Sequence, residues 1–552
     1  MTTAVVRLEG REQTRRGHAL TGTGSLLRFM LRRDRIRLPA WILGITVFMA
    51  AASSSLPDLY PEAADRQARA TLMENPGTRA ISGPGYGLDD YTFGAMISNE
   101  FLSWLALFVA LMCIFVVVRH TRNEEETGRA ELVRSNRVGR HATTTAALVV
   151  AYGASLALGV TMAVALGSLG LESVGWGSSL LFGAALASVG VVFAGAAAVA
   201  VQLSQHARGA SGLAGAVFAL AYVVRAAGNM TETGGGPTSW LSPIGWAQQT
   251  RVYVDDRWWP LLLPLTLTVI LVSAAYWLST RRDVGASLMQ TRPGPAYAPA
   301  SLSGPLGLAW RLQRAGLAWW STAILIFAVF YGTLVTELEQ FVSELSAIQD
   351  ALADIGGTII DAWLALIILL FAIVVTVFAV LAAGRARSEE NGGRAEPVLT
   401  TLVSRSRWLG SHLLVALIGS AFLMLLAGFG LGLSASLALD DTEMLWRVLG
   451  ASLVHVPAIW MIVAIAVALF GLAPRATLLV WVVIVYAGVV GWLGTILGFP
   501  QWAVNLSPLG HTPMPPAEEM QWTPLIVVTA LATALVVVGL AGFRRRDLQG
   551  TA

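Results

Sequence analysis

Apolar runs, each on the order of twenty residues and nearly free of charge, recur along this chain, and each is long enough to cross a hydrocarbon core about 30 Å thick. The first six lie near 38–57, 101–118, 145–170, 178–203, 211–228 and 258–280. Six more lie near 317–336, 362–384, 413–437, 448–472, 477–496 and 524–543. A soluble helix needs only one apolar stripe, whereas a lipid-exposed segment must be apolar all round and satisfy its own backbone as a helix. Of the 552 residues 55% are hydrophobic and 13% are charged, roughly half the charge of an ordinary soluble domain. The chain therefore reads as an all-α integral membrane protein with twelve transmembrane helices.

The sequence contains no lysine, so its 37 basic residues are all arginine, a usage that points to a GC-rich, actinobacterial genome. Segments 1–37, 119–142, 204–210, 281–316, 385–412, 473–476 and 544–552 hold 30 of them. Acidic residues crowd the opposite side, at Asp58, Glu62, Asp65, Glu74, Asp89 and Asp90, then at Glu337, Glu339, Glu344, Asp350 and Asp354. The positive-inside rule places both termini in the cytoplasm, with the chain in the cell membrane. Ala50-Ala51-Ala52 resembles a signal-peptide cleavage site, but the basic region before it is far longer than a usual leader's. The first run is read as a retained span. The single cysteine, Cys113, lies inside an apolar run, which excludes an intrachain disulfide and a cysteine-rich metal site.

The two sets of six spans repeat one another. Leu241-Ser242-Pro243-Ile244-Gly245 recurs as Leu506-Ser507-Pro508-Leu509-Gly510, and Arg281-Arg282-Asp283 as Arg545-Arg546-Asp547. Glu125-Glu126-Thr127-Gly128-Arg129-Ala130-Glu131 recurs as Glu389 to Glu396, with Gly393 read as an inserted residue. Six spans per half keep the halves parallel, related by a pseudo-two-fold axis along the membrane normal. The organisation expected is a first half over 1–284, a Pro/Gly/Ser-rich cytoplasmic linker over 285–305, and a second half over 306–552. Each half opens with a basic amphipathic stretch, Leu26 to Arg35 and Leu306 to Arg314, suited to a helix lying in the cytoplasmic interface.

The segment after the second span of each half carries most of the functional signal. Residues 119–142 and 385–412 are longer and more charged than a connection between two membrane helices requires. Mixed charge around a central glycine predicts short helices that dock on a cytoplasmic partner. The order Glu126-x-Gly128-x-x-Glu131-Leu132, with Glu390, Gly392 and Glu396 in the second half, resembles the coupling loop of ABC-2 type exporter permeases. At this length the chain is similar to fused, double-length forms, the actinobacterial tetronasin-type polyketide-antibiotic exporters and their mycobacterial multidrug relatives. That resemblance implies two six-helix bundles with cargo moving between them, and two copies of a cytoplasmic ATPase seated on the coupling loops. Glu125, Glu126, Gly128, Glu131, Leu132, Glu389, Glu390, Gly392 and Glu396 would form the ATPase contact. Pro397, in place of the leucine, marks a departure in the second half.

No P-loop is possible without its lysine, and no cytoplasmic segment is long enough to hold a nucleotide-binding domain. The chain is thus expected to bind no cofactor and to have no catalytic site of its own, with ATP and Mg on the partner. The cargo expected is a hydrophobic or amphiphilic small molecule, drug-like or polyketide-like. Nothing in the sequence suggests nucleic acid or a metal.

Intramembrane polar groups are functional suspects by default, which singles out Arg225 and His455, with Trp460 beside Pro457. Pro243 and Pro508, in the repeated Leu-Ser-Pro motif, suggest a capped or re-entrant turn at an outer gate. Arg225 alternatively snorkels to the outer surface, and His455 alternatively satisfies a neighbouring carbonyl. Gly190, Ala194 and Ala198 of the fourth span suit close helix packing. The competing transport class is a proton-coupled secondary transporter of the major facilitator type, which expects a carboxylate inside the membrane. A membrane enzyme would need one of the acidic pairs Asp89-Asp90, Asp255-Asp256 or Asp440-Asp441 beside further catalytic groups, and the sequence brings none together.

The topology is directly testable in a Cys113→Ala background. Cysteines placed in 119–142, 281–316 or 385–412 should label only from the cytoplasm, and those in 58–100 or 229–257 only from outside. Labelling of a cysteine at Gly285 from outside alone would overturn the assignment.

Overall fold

A computed structural model describes residues 19–134, 138–282, 288, 296–336, 359–493, 501–518 and 520–547. Among them there is no strand, and twelve helices are long and apolar enough to cross a membrane. The spans are Arg37–Leu59, Phe93–Glu126, Ala142–Gly167, Trp176–Leu203, Ala207–Thr231 and Trp259–Ser279, then Pro305–Thr333, Ile360–Asn391, Arg405–Leu439, Thr442–Leu472, Pro474–Gly491 and Trp522–Arg545. They are numbered one to twelve below. The protein is a multi-pass, all-α integral membrane protein. It divides into two compact units, Met1–Pro293 and Gly294–Ala552, with six spans in each. The acidic residues Glu337, Glu339, Glu344, Asp350 and Asp354 lie outside the described residues.

Several helices run beyond their apolar runs because polar side chains at their ends find partners. Span two begins at Phe93, where the Thr92 hydroxyl accepts from Ala95 N at 3.3 Å. Its first turns carry Asn99, whose amide oxygen accepts from Gly85 N and Tyr86 N and whose nitrogen donates to Tyr86 O. In the first unit the helix Thr23–Arg33 is separate from span one and ends at Asp34, whose carboxylate turns to His120 and to Arg119 at 2.8 Å. The second unit corrects the expected separate interfacial helix. Leu306–Arg314 is the beginning of span seven, one unbroken helix over Pro305–Thr333. The junction Arg314-Ala315-Gly316-Leu317 carries no carboxylate drawn to another helix, as Asp34 is.

Within each unit three spans are inner and three are peripheral. Spans two, three and four are 67, 56 and 78% buried, against 28, 22 and 17% for one, five and six. Spans eight, nine and ten are 67, 56 and 67% buried, against 22% for each of seven, eleven and twelve. Span four packs on spans two, three and six, and span nine on seven, eight and ten. Lipid tails are as apolar as leucine, so the inner helices associate through close van der Waals packing. A Cβ on Gly183 would lie 2.1 Å from the Gly159 carbonyl oxygen, so spans three and four touch backbone to backbone. In span four the expected small-residue face is fully buried at Ala194 and Ala198, and a Cβ on Gly190 would meet Ser155 Oγ at 2.2 Å.

Gly183→Ala should therefore lose stability by about 1–3 kcal/mol, as overpacking does. The melting point of the detergent-solubilised protein should fall. Gly153→Ala, in the same pair of spans but facing open space, should leave it unchanged.

Candidate functional site

At Thr121 the chain leaves the span-two helix Phe93–His120, forms a short helix Arg122–Glu126, reverses at Gly128 with φ 73°, and enters a second short helix Arg129–Arg134. The second unit does the same: Ile359–Ala383, Arg385–Asn391, Gly393 with φ 68°, then Ala395–Leu399. The left-handed turn favours glycine, and its positions correct the pairing read from sequence. Gly128 corresponds to Gly393 rather than Gly392, at the same spacing that relates the two Leu-Ser-Pro motifs. Glu125 then matches Glu390, Glu131 matches Glu396, and nothing is inserted. Gly392 has an ordinary φ of −88°.

The first short helix of each segment is tied back to the end of that unit's last span. Glu125 receives both guanidinium nitrogens of Arg282, at 2.9 and 3.0 Å, and Arg122 Nη1 at 2.7 Å. Glu390 receives both nitrogens of Arg546, at 2.7 and 2.6 Å. Both carboxylates are largely shielded, with side-chain exposures of 8% and 4%. Arg282 also donates to Gln202 Oε1 at 2.5 Å, and Arg546 lies over the rings of Phe470 and Phe543. Fork-on-fork geometry fixes orientation as well as distance.

Neighbouring carboxylates are used inside the unit as well. Glu124 pairs with Arg33 of the helix Thr23–Arg33, and exposed Glu126 accepts from Ala207 N at 2.9 Å, the first residue of span five. Glu389 accepts from Arg394 Nε at 2.8 Å and pairs with Arg385 at 3.0 Å. That bond raises the Arg394 guanidinium pKa above its ordinary value. Glu131 and Glu396 are exposed on the second short helix. The side chain of Leu132 lies outside the described residues. The clasping arginines were missed as site residues, although their recurrence beside an aspartate was a legible signal.

On the opposite side, Arg225 does not snorkel. It is fully buried and donates to Ala80 O at 2.7 Å and Ser103 Oγ at 3.0 Å, with its guanidinium over the Tyr222 ring. Arg79 answers in reverse, donating to Asn229 O at 2.9 Å and Met230 O at 3.3 Å. Each arginine thus caps carbonyls at the C-terminal end of the other's helix, where a cation is favoured. Burial pulls the Arg79 pKa below its usual range.

Both Leu-Ser-Pro motifs build turns, and the serine caps the first of them. Ser242 accepts from Ile244 N, and Pro243 opens the helix Pro243–Gln248. Pro508 opens the 3₁₀ turn Pro508–His511. A Cβ on Gly245 would meet Ser239 O at 2.0 Å, and one on Gly510 would meet Val504 O at 2.3 Å, so both glycines permit a close fold-back. His455 sits buried at a break in span ten, between helices Thr442–Leu453 and Val456–Leu472 and beside the Ala451 carbonyl. Trp460 Nε1 donates to Leu417 O of span nine at 3.2 Å, a packing contact. Two of the acidic pairs serve turns. Asp255 pairs with Arg251 and Arg257, Asp256 accepts from Tyr253 N, and Asp441 caps the helix beginning at Thr442. Among the described residues no group of three or more His, Cys, Asp or Glu side chains is arranged to hold a metal.

Comparison with known proteins gives this geometry a family. The family described as multidrug efflux system permease Rv1217c, C-terminal domain, matches residues 24–278 and 302–544. The chain is also 40% identical over 550 residues to the multidrug efflux system permease protein Rv1217c of Mycobacterium tuberculosis, an alignment covering 98% of each chain. The chain belongs to the Rv1217c family of multidrug efflux permeases.

Proposed function

We propose that the protein is the membrane-spanning subunit of an ATP-driven exporter of the ABC-2 type, resembling the tetronasin-type permeases, with both termini cytoplasmic. It moves hydrophobic or amphiphilic compounds outward, using ATP and Mg held by two copies of a separate cytoplasmic ATPase. The observation that carries this reading is the clasped double helix after the second span of each unit. The first short helix is fixed by Glu125–Arg282 or Glu390–Arg546 to the end of the last span. The second, beyond the left-handed glycine, carries exposed Glu131 or Glu396. A push on the exposed helix is thereby delivered to both ends of a six-span unit. The matching clasps support an internal duplication.

The roles of the glutamates divide accordingly. Glu131, Glu396 and the exposed face around them contact the ATPase, whereas Glu125, Glu389 and Glu390 hold the lever in shape, and Glu126 links it to span five. Gly128 and Gly393 supply the reversal. At the outer end of the first unit, Arg225 with Arg79 and the capped turn at Pro243 form a gate element, and the turn at Pro508 is its counterpart in the second unit. His455 lies at the break in span ten, and Trp460 ties the helix beyond it to span nine.

The purified chain alone should hydrolyse no ATP, and adding the ATPase encoded with it should give hydrolysis that cargo stimulates. Robust hydrolysis by the isolated chain would refute the division of labour. Glu131→Gln with Glu396→Gln should weaken ATPase binding about tenfold or more, the worth of charge-assisted hydrogen bonds, while the melting point stays unchanged. Wild-type affinity and stimulation in that variant would remove the docking role.

The clasp should behave in the opposite way. Glu390→Gln leaves Arg546 with an uncompensated, mostly buried charge and should cost about 3 kcal/mol of stability, read as a lowered melting point. The swap Glu390→Arg with Arg546→Glu should recover part of the loss. A Glu390→Gln protein as stable as wild type would show that the clasp contributes nothing.

A further inference from the structure

Two adjoining hollows run along spans one and two of the first unit, about 800 and 420 Å³ in volume, sharing Ala40 and Trp41 in their walls. Their foot is lined by Arg37 at the start of span one, Arg119 on span two and Arg208 at the start of span five, with Asp34 among them. Asp34 is already engaged by Arg119 and His120. Arg37 and Arg208 have no carboxylate within ion-pair distance among the described residues, and both are exposed. The foot therefore carries two arginines in excess. Above it the walls are apolar and aromatic, with Trp41, Phe115, Phe108 and Phe48, and no charged residue lines the upper hollow.

The dimensions select the occupant. From Arg37 to Phe48 along span one, and from Arg119 back to Phe108 along span two, the rise is about 16 Å on each helix. That is close to one leaflet, half of a core about 30 Å thick. Gly44 lies in the upper wall with open space where a side chain would stand, so no side chain of its own narrows the groove there. A cationic foot at the interface and an aromatic wall one leaflet deep complement a molecule with an anionic head and a tail ending at mid-bilayer.

We infer that this groove binds an anionic phospholipid of the cytoplasmic leaflet, its phosphate between Arg37 and Arg208 and an acyl chain along Trp41, Phe108 and Phe48. The leaflet follows from the arginine-based orientation proposed above; the binding chemistry does not depend on it. The occupant lies beside the Asp34–Arg119 pair and the Glu126 contact to Ala207, so the lipid adjoins the base of the proposed coupling lever.

The test uses the full-length chain in nanodiscs, which expose both faces, so a failed orientation and a failed groove are separable; cysteine labelling reads the former. Spin-labelled phosphatidylglycerol should be immobilised several-fold more than spin-labelled phosphatidylcholine. Because each arginine near an anionic headgroup is worth roughly fivefold, Arg37→Gln with Arg208→Gln should remove most of that preference. Arg281→Gln, at an exposed arginine stacked on Trp277 outside the groove, should not. Gly44→Leu should fill the groove without a clash and lower retention while the melting point holds. Equal retention of the two lipids, an unchanged preference in the double variant, or unchanged retention in Gly44→Leu overturns the inference. So does occupation by 8-anilinonaphthalene-1-sulfonate that phosphatidylglycerol fails to displace, because the occupant would then be a small anionic amphiphile.

Discussion

A carboxylate held by a two-pronged arginine closes the inner end of each six-span unit. Glu125 with Arg282, and Glu390 with Arg546, join the turn after the second span to the exit of the last. Shielded from water, such a pair is strong only when both charges are satisfied. Arg122 and Gln202 complete the first, and the rings of Phe470 and Phe543 cover the second. The peripheral sixth and twelfth spans bury little surface of their own, so the clasp gives their inner ends a fixed position. The left-handed glycines depend on it in turn, since a reversal needs one arm held still.

Lipid gives the rest of each unit little hydrophobic drive, and contact distance takes its place. Spans three and four meet through Gly159 and Gly183. Spans ten and twelve meet through Gly471 and Gly539, where a Cβ would fall 2.0 Å from a backbone oxygen. Polar groups are then spent at the two ends of each bundle. At the end that carries the clasps they include ion pairs between named helices. At the other end of the first unit, Arg79 and Arg225 cap each other's helices through guanidinium-to-carbonyl bonds, with no carboxylate in that exchange. Such an arrangement holds the short helix Pro76–Ile81 to span five by geometry and lets neither arginine reach water.

The sequence made some of this legible, for clear reasons. Hydrophobic length fixes span number, because a helix must cover the bilayer, and among the described residues there are twelve such helices where twelve runs were read. The segments after spans two and eight stood out because their charge exceeded what a connection needs. The recurrence of Arg282 beside Asp283, and of Arg546 beside Asp547, marked positions without revealing what they touch. Pairing Gly128 with Gly392 was an error of local matching. Two adjacent glycines look alike as letters, and only backbone dihedrals distinguish the one that reverses the chain.

Composition and periodicity thus determined on their own that this chain is a helical membrane protein, because the bilayer imposes a length and a polarity on every segment that crosses it. The lack of lysine likewise excluded a P-loop, whose phosphate contact needs that side chain. Which glutamates face inward was decided only by tertiary structure. Glu125 and Glu131 are six residues apart in one acidic segment, and nothing local distinguishes them. One meets an arginine 157 positions away and the other meets solvent. Long-range ion pairing depends on where the last span ends in space, and a sequence read in one dimension carries no record of that distance.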